Sequence, residues 1–242
     1  MDFCKVEHYD AAQLNCYAFR RGTDVKDGIT LSLGNMVSGF PFKVNGVEFQ
    51  NSECAYISGL FSNNAERHFE LQRQLKDCTN GLMAKRAIRR PNKHLARTDW
   101  EEFNIQWMLY VVWTKCTWSD GFRQLLLSLP QDAVIIEDST SQAGRMATVW
   151  GTRNAELKQL ENQMKRELKA QGLKKAAIKR TLDSRRLGEW SRVGMFEGQN
   201  IMGKILMLCR DALRNQQEPS IDYDLLRSKQ IYLLGHLVQY DQ

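Results

Sequence analysis

Glu53 stands in a stretch, 39–61, where chain order alone determines where a carboxylate is delivered. Phe40, Phe42 and Val44, then Val47 and Phe49, alternate with other residues at the period of a half-buried strand. Asn45-Gly46 between the runs tolerates positive φ at both turn positions and predicts a tight hairpin. Asn51 and Ser52 follow, and either can cap a helix that begins near Glu53. The carboxylate thus arrives in the first turn of a helix directly after a rigid hairpin, with Tyr56 about one turn on. A carboxylate fixed in this way can exchange protons with a bound molecule. The same position also suits an acid that only complements the helix dipole.

Three further places carry potential chemistry. Residues 133–136, Ala-Val-Ile-Ile, predict a short buried strand with Glu137 at its end. Gly194, Gly198 and Gly203 surround Gln199-Asn200 ahead of an apolar helix over about 201–213. A glycine-rich loop feeding a helix N-terminus can cradle an anion, and many such loops are ordinary turns. Lys115 lies four residues after Val111 and eight after Trp107, so it extends the face that Trp100 opens on a long apolar helix over 99–116.

The elements that must position these groups follow from pattern. Tyr17–Phe19 and Ile29–Leu31 read as short strands. Asn64 can cap a helix over 65–78, and 82–90, with Lys85 and Arg89, is a short basic helix stopped by Pro91. Thr98-Asp-Trp-Glu101 has the form of a capping box for the apolar helix, and Ser119 can cap the next helix, which Pro130 ends. Asn154 can cap a helix carrying Leu157, Leu160, Met164 and Leu168, and Gly172 and Gly188 divide the segment that follows. The length suits one sizeable core, and the reading is one domain over 1–242, with a basic helical insertion at 152–192 and an extension at 214–242 whose apolar run 231–238 packs on the body.

Composition excludes several classes. The six cysteines contain no C-x-x-C and the four histidines no ligand spacing, so neither a metal, another cofactor nor a disulfide framework is signalled. The N-terminus has no apolar leader and no run is long enough to span a membrane, so a cytoplasmic protein without a membrane partner is expected. The net charge of +6 is local. Residues 155–192 hold eleven Lys/Arg against five Asp/Glu, and the rest of the chain holds 23 of each sign. That is either an attachment for a polyanion or a solvated arm.

Taken in order, these pieces resemble the NADAR family of YbiA-like N-glycosidases. The matching series is Asn35 before the Pro41-Phe and Val44-Asn-Gly46 hairpin, Ser52-Glu53 with Tyr56, Ala84-Lys85 with Arg89, Trp100 with Met108 and Lys115, Glu137, Trp150-Gly151, and Asn200 with Gly203. It spans about 15–213 and is interrupted by the insertion. Three positions depart from the family pattern: Ala147 stands where an Asp is usual, Ile57-Ser58-Gly59-Leu60 replaces a Gln-x-x-Lys, and Ile88 precedes Arg89 in place of Gly. The resemblance implies a compact, mainly helical α+β fold with a few short strands. It implies cleavage of a bond between a sugar C1 and an exocyclic amine, with no cofactor and no metal.

On that resemblance Glu53 is the proton-shuttling carboxylate and Glu137 the second candidate. Lys115, preferred over Lys85 for its apolar surroundings, is the amine that captures an opened imine. Asn35, Ser52, Tyr56, Arg89, Trp100, Trp150, Gly151, Gly198, Asn200 and Gly203 are the binding residues, the 194–203 loop holding a pyrophosphate. The substrate implied first is ADP-ribosylated guanine in DNA or RNA, the product of a DarT-type ADP-ribosyltransferase toxin that would be this chain's counterpart. The alternatives are a ribosylamino intermediate of riboflavin synthesis, or a non-catalytic module that binds ADP-ribose or nucleic acid, suggested by Ala147.

Overall fold

The computed structural model of the chain describes residues 2–240. It is an α+β fold of short strands and many helices, divided into two compact units. Among the described residues no helix is long and apolar enough to cross a membrane.

The first unit joins the residues up to Gly34 with Ser128–Met207. Its sheet has the strand order Glu7–Asp10, Met195–Gly198, Arg153–Asn154, antiparallel throughout. A second, parallel pair aligns Cys16–Phe19 with Val134–Glu137, Phe19 opposite Glu137. Parallel neighbours need a crossover, and here the crossover is the whole of 20–133. Ala11, Cys16, Ile136, Leu157, Trp190 and Phe196 form a buried core in this unit.

The insertion folds as two helices, Ala155–Ala170 and Lys175–Leu187. Asn154 caps the first, its side chain accepting from Leu157 N, and Gly172 turns between them at φ 80. The insertion is built into this unit. Leu157 and Trp190 belong to its core, Arg153–Asn154 is a strand of its sheet, and ion pairs pin both helices. Arg20 reaches Asp138 and Glu161, each at 2.8 Å, and Arg186 reaches Asp24 at 2.6 Å, all five side chains being nearly sequestered from solvent. Excising the insertion would take Glu161 from Arg20 and Arg186 from Asp24, a costly outcome for buried charges.

The second unit joins Asn35–Leu127 with the residues from Leu208 onward. The expected hairpin forms as Phe42–Val44 against Val47–Phe49, with Asn45 at φ 50 and Gly46 at φ 79. The helix Ser52–Leu60 that follows is buried at every residue. Gly59 makes this possible, because a Cβ there would fall 2.2 Å from Trp107 Nε1, whose N–H donates to Ala55 O at 3.2 Å. The departure at 57–60 from the family pattern is therefore the seat of the Trp107 indole. Trp107 belongs to the long helix Trp100–Trp118, which is buried on most sides as its composition predicts. The C-terminal run forms the hairpin Tyr232–Leu233 with His236–Leu237 and is tied to Gln72, whose amide donates to Tyr232 O and accepts from Leu234 N.

Three local expectations are corrected. The capping box at 98–101 does not form: Asp99 takes the cap position, but Arg97 grips its carboxylate through two bonds of 2.9 Å, a charge-assisted fork that outcompetes a backbone N–H. Asn64 does not cap. The helix Glu66–Lys76 starts after Ala65 with no side-chain cap. The basic helix begins at Gly81, capped by Asn80, and widens into a π-helix over Ala84–Arg89, where Arg90 N donates to Lys85 O at 3.1 Å.

Candidate active site

In the second unit, hairpin and cap place Glu53 as expected. Asn51 is the cap, its Oδ1 accepting from Cys54 N at 3.0 Å, and Ser52 opens the helix. Glu53 N donates to Asn35 O at 3.0 Å, which fixes the segment before the hairpin to the helix start. The Glu53 side chain is 3% exposed. One oxygen, Oε2, lies 3.2 Å from Lys85 Nζ. The other, Oε1, is buried with no hydrogen-bond partner in the protein, and so is Asn35 Oδ1. An unsatisfied buried carboxylate oxygen is costly, which makes Glu53 Oε1 the candidate acceptor of this site.

The π-helix supplies Lys85. Single π turns are rare and concentrate at functional sites. This one carries Lys85 and Arg89 on the same short element, and the Arg89 charge acts on the Tyr56 hydroxyl. The Tyr56 ring lies 4.9 Å from that of Trp100, inclined at 59°. Burial drives the Tyr56 phenol well above its ordinary range. Arg89 and a hydrogen bond with Trp100 oppose that shift, and the negative charges of Glu53 and Glu101 add to it. Asn35, Glu53, Tyr56, Lys85, Arg89 and Trp100 are therefore one cluster. Glu101 is a member that the sequence hides, because its place in Thr98-Asp-Trp-Glu101 has the form of a capping-box acid.

Lys115 has different neighbours. It is buried, with Nζ 4.0 Å from the ring centre of Phe122 and 5.3 Å from that of Phe40. Desolvation lowers its pKa to about 8, slightly offset by the nearby Cys116. Apolar walls depress the lysine as expected, but the lysine on the Glu53 carboxylate is Lys85.

In the first unit the remaining candidates also converge, and the Asn200 amide binds backbone. Asn200 sits at φ 51 and is fully buried. Its Oδ1 accepts from Glu137 N at 3.1 Å and its Nδ2 donates to Ile135 O at 2.9 Å, so the amide clasps the strand that ends in Glu137. Asn200 N donates to Gly151 O and Gln199 N to Thr148 O. Those two loop amides are engaged, and the loop itself contains the strand Met195–Gly198, paired on both sides. Neither of those two amides is therefore open to the anion expected over 194–203. The glycines serve close approach. A Cβ on Gly203 would meet Ile135 O at 2.2 Å, one on Gly151 would meet Glu137 O at 2.5 Å, and one on Gly198 would meet Gly151 O at 2.4 Å. Trp150 precedes Gly151 at the end of the helix Met146–Trp150 and is half-buried, as is Glu137. Ala147 is buried one turn before.

This fold is similar to that of YbiA. Against the NMR structure of the E. coli protein YbiA the chain has a TM-score of 0.50 at 19% identity, covering 85% of this chain and 92% of YbiA. No protein-family model matches the sequence, and no curated protein does. At this identity the likeness concerns the fold, and the mainly helical α+β architecture with short strands that the motif series implied is the one observed.

Proposed function

We propose that the chain is an N-glycosidase that releases ADP-ribose from the exocyclic amine of guanine in nucleic acid, reversing the modification made by a DarT-type toxin in the cytoplasm. One observation carries the reading: a buried carboxylate, Glu53, with one oxygen on Lys85 and the other unsatisfied, beside the Tyr56 and Trp100 rings. YbiA-like architecture and the ordered motif series support the reaction class. The exposed cations of the insertion support a polyanionic substrate over a small riboflavin intermediate.

The chemistry follows from the pair. The Lys85 ammonium passes a proton through Glu53 to the sugar ring oxygen. The ring C1–O bond breaks as the amine lone pair forms an iminium at C1. Lys85, now neutral, adds to C1, and the base leaves with its nitrogen protonated through Glu53. Water then hydrolyses the Lys85 imine and frees the sugar. Lys85 takes the role that the resemblance gave first to Lys115, because 3.2 Å separates it from the proton carrier. Asn200, Gly151, Gly198 and Gly203 hold backbone in place, with Glu137 carried on the strand they clasp.

The test is incubation with ADP-ribosylated guanine DNA and, separately, with a ribosylaminopyrimidine phosphate. Free ADP-ribose from the first is the expected result. Release only from the second would transfer the reading to small glycosylamines, and release from neither would leave a binding module.

A further inference from the structure

The net charge of the chain directs attention to the insertion, yet a second cationic stretch lies beside Glu53. Between Asp77 and Asp99 the sequence has no acid and six cations, Lys85, Arg86, Arg89, Arg90, Lys93 and Arg97. Acids elsewhere cancel it in the totals, so composition hides it. In the structure Lys85 pairs with Glu53 and Arg97 with Asp99. Among the described residues no ion pair is formed by Arg86, Arg90 or Lys93, and all three are exposed. The same stretch opens with exposed apolar side chains: Leu82 is 41% and Met83 51% exposed. Met36, 41% exposed, is seated on Gly81, where a Cβ would come within 2.8 Å of Met36 Cα.

We infer that this lip, Met36, Leu82 and Met83 with Arg86, Arg90 and Lys93, is the surface that grips a single-stranded nucleic acid on either side of the nucleotide presented to Glu53; this rests on the proposed function for what the grip is used for. Three unpaired cations outside the carboxylate pair exceed what a single nucleoside needs and suit successive phosphates. Flexible apolar side chains at the start of the same stretch suit the faces of unstacked bases, which a strand offers and a duplex hides. The π-helix links recognition to chemistry, because Arg86 and Arg90 each follow directly a residue of the site, Lys85 and Arg89.

The experiment measures binding of short unmodified single-stranded DNA and RNA oligonucleotides by fluorescence anisotropy across salt concentrations. Single strands contribute a slope of roughly 0.7 in log K against log salt per phosphate neutralised. The triple variant Arg86→Gln/Arg90→Gln/Lys93→Gln is expected to lose about 2 from that slope and at least about tenfold in affinity at low salt. The insertion triple Lys174→Gln/Lys175→Gln/Lys179→Gln, removing the same charge, is expected to lose less than half as much. Leu82→Ser/Met83→Ser should weaken strand binding with the slope intact. Equal losses in the two triples, or a loss only in the insertion triple, overturn the inference. Binding to unmodified strands needs no turnover. A protein that cleaves nothing but binds through the lip would keep this inference and remove the function. One that cleaves yet binds equally without the lip would do the reverse.

Discussion

The Glu53 cluster and the Asn200 junction come from the same motif series, and they differ in what their polar atoms do. Around Asn200 both amide atoms and the backbone N–H have backbone partners, and three glycines sit where a Cβ would strike a carbonyl or amide. Around Glu53 the carboxylate shares one oxygen with a half-exposed lysine and leaves the other, with Asn35 Oδ1, unsatisfied in a buried space. A motif residue whose hydrogen-bonding capacity is met by the fold is positioning something. One that retains capacity at a cost in stability, beside a half-exposed lysine, is the better candidate for contact with a ligand.

Substitution at Glu53 should break activity first and most. Glu53→Gln keeps the shape and removes proton transfer, so turnover of ADP-ribosylated guanine is expected to fall by about two orders of magnitude or more with the unfolding midpoint little changed. Near-normal turnover would make Glu53 a structural acid. Borohydride added during turnover sharpens the choice of lysine. A covalent adduct is expected in the wild type and in Lys115→Met, and none in Lys85→Arg. An adduct lost only in Lys115→Met would return the role to that residue.

Asn200 should give the mirror image. Asn200→Ala leaves Glu137 N and Ile135 O unpaired in a buried junction, and a loss of about 3 kcal/mol in unfolding free energy is expected from roughly 1–3 kcal/mol per buried group. Activity per folded molecule should remain within about tenfold, since no proton carrier is touched. A stable Asn200→Ala protein that has lost activity would mean that the amide binds substrate after all.

The Glu53 side of this contrast was legible in the sequence. Hairpin, cap and carboxylate are contiguous, and the period-2 pattern plus Asn45-Gly46 determine their geometry locally. The long helix was legible too, because it is apolar all round. Lys85 as partner of Glu53 was not, since a π turn has no periodic signature and the pairing spans 32 positions of chain. The insertion's integration was equally hidden. Arg20, Asp24, Asp138, Glu161 and Arg186 are scattered in sequence, and charge reads as solvated until a partner is seen. The 194–203 glycines were legible as special but not in kind, since close backbone approach and anion binding both require glycine.

Lys115 offers a test in stability alone. With its pKa lowered from 10.5 to about 8, the folded chain binds fewer protons at this site than the unfolded chain between those values. Stability owed to Lys115 therefore rises with pH through that window, and below about pH 8 the fold bears the full penalty of a buried ammonium. The shift corresponds to about 3 kcal/mol at 1.36 kcal/mol per pKa unit. The Phe122 and Phe40 rings lie against the ammonium and oppose that penalty. Buried thiols at Cys16, Cys54 and Cys209, whose pKa values burial raises, push the other way above pH 9, so the informative quantity is the difference between wild type and Lys115→Met. Urea unfolding at pH 7 and pH 10 should show Lys115→Met gaining on the wild type at pH 7 and losing most of that advantage at pH 10. A difference independent of pH would mean that Lys115 keeps an ordinary pKa, through charge partners or water that reach its ammonium.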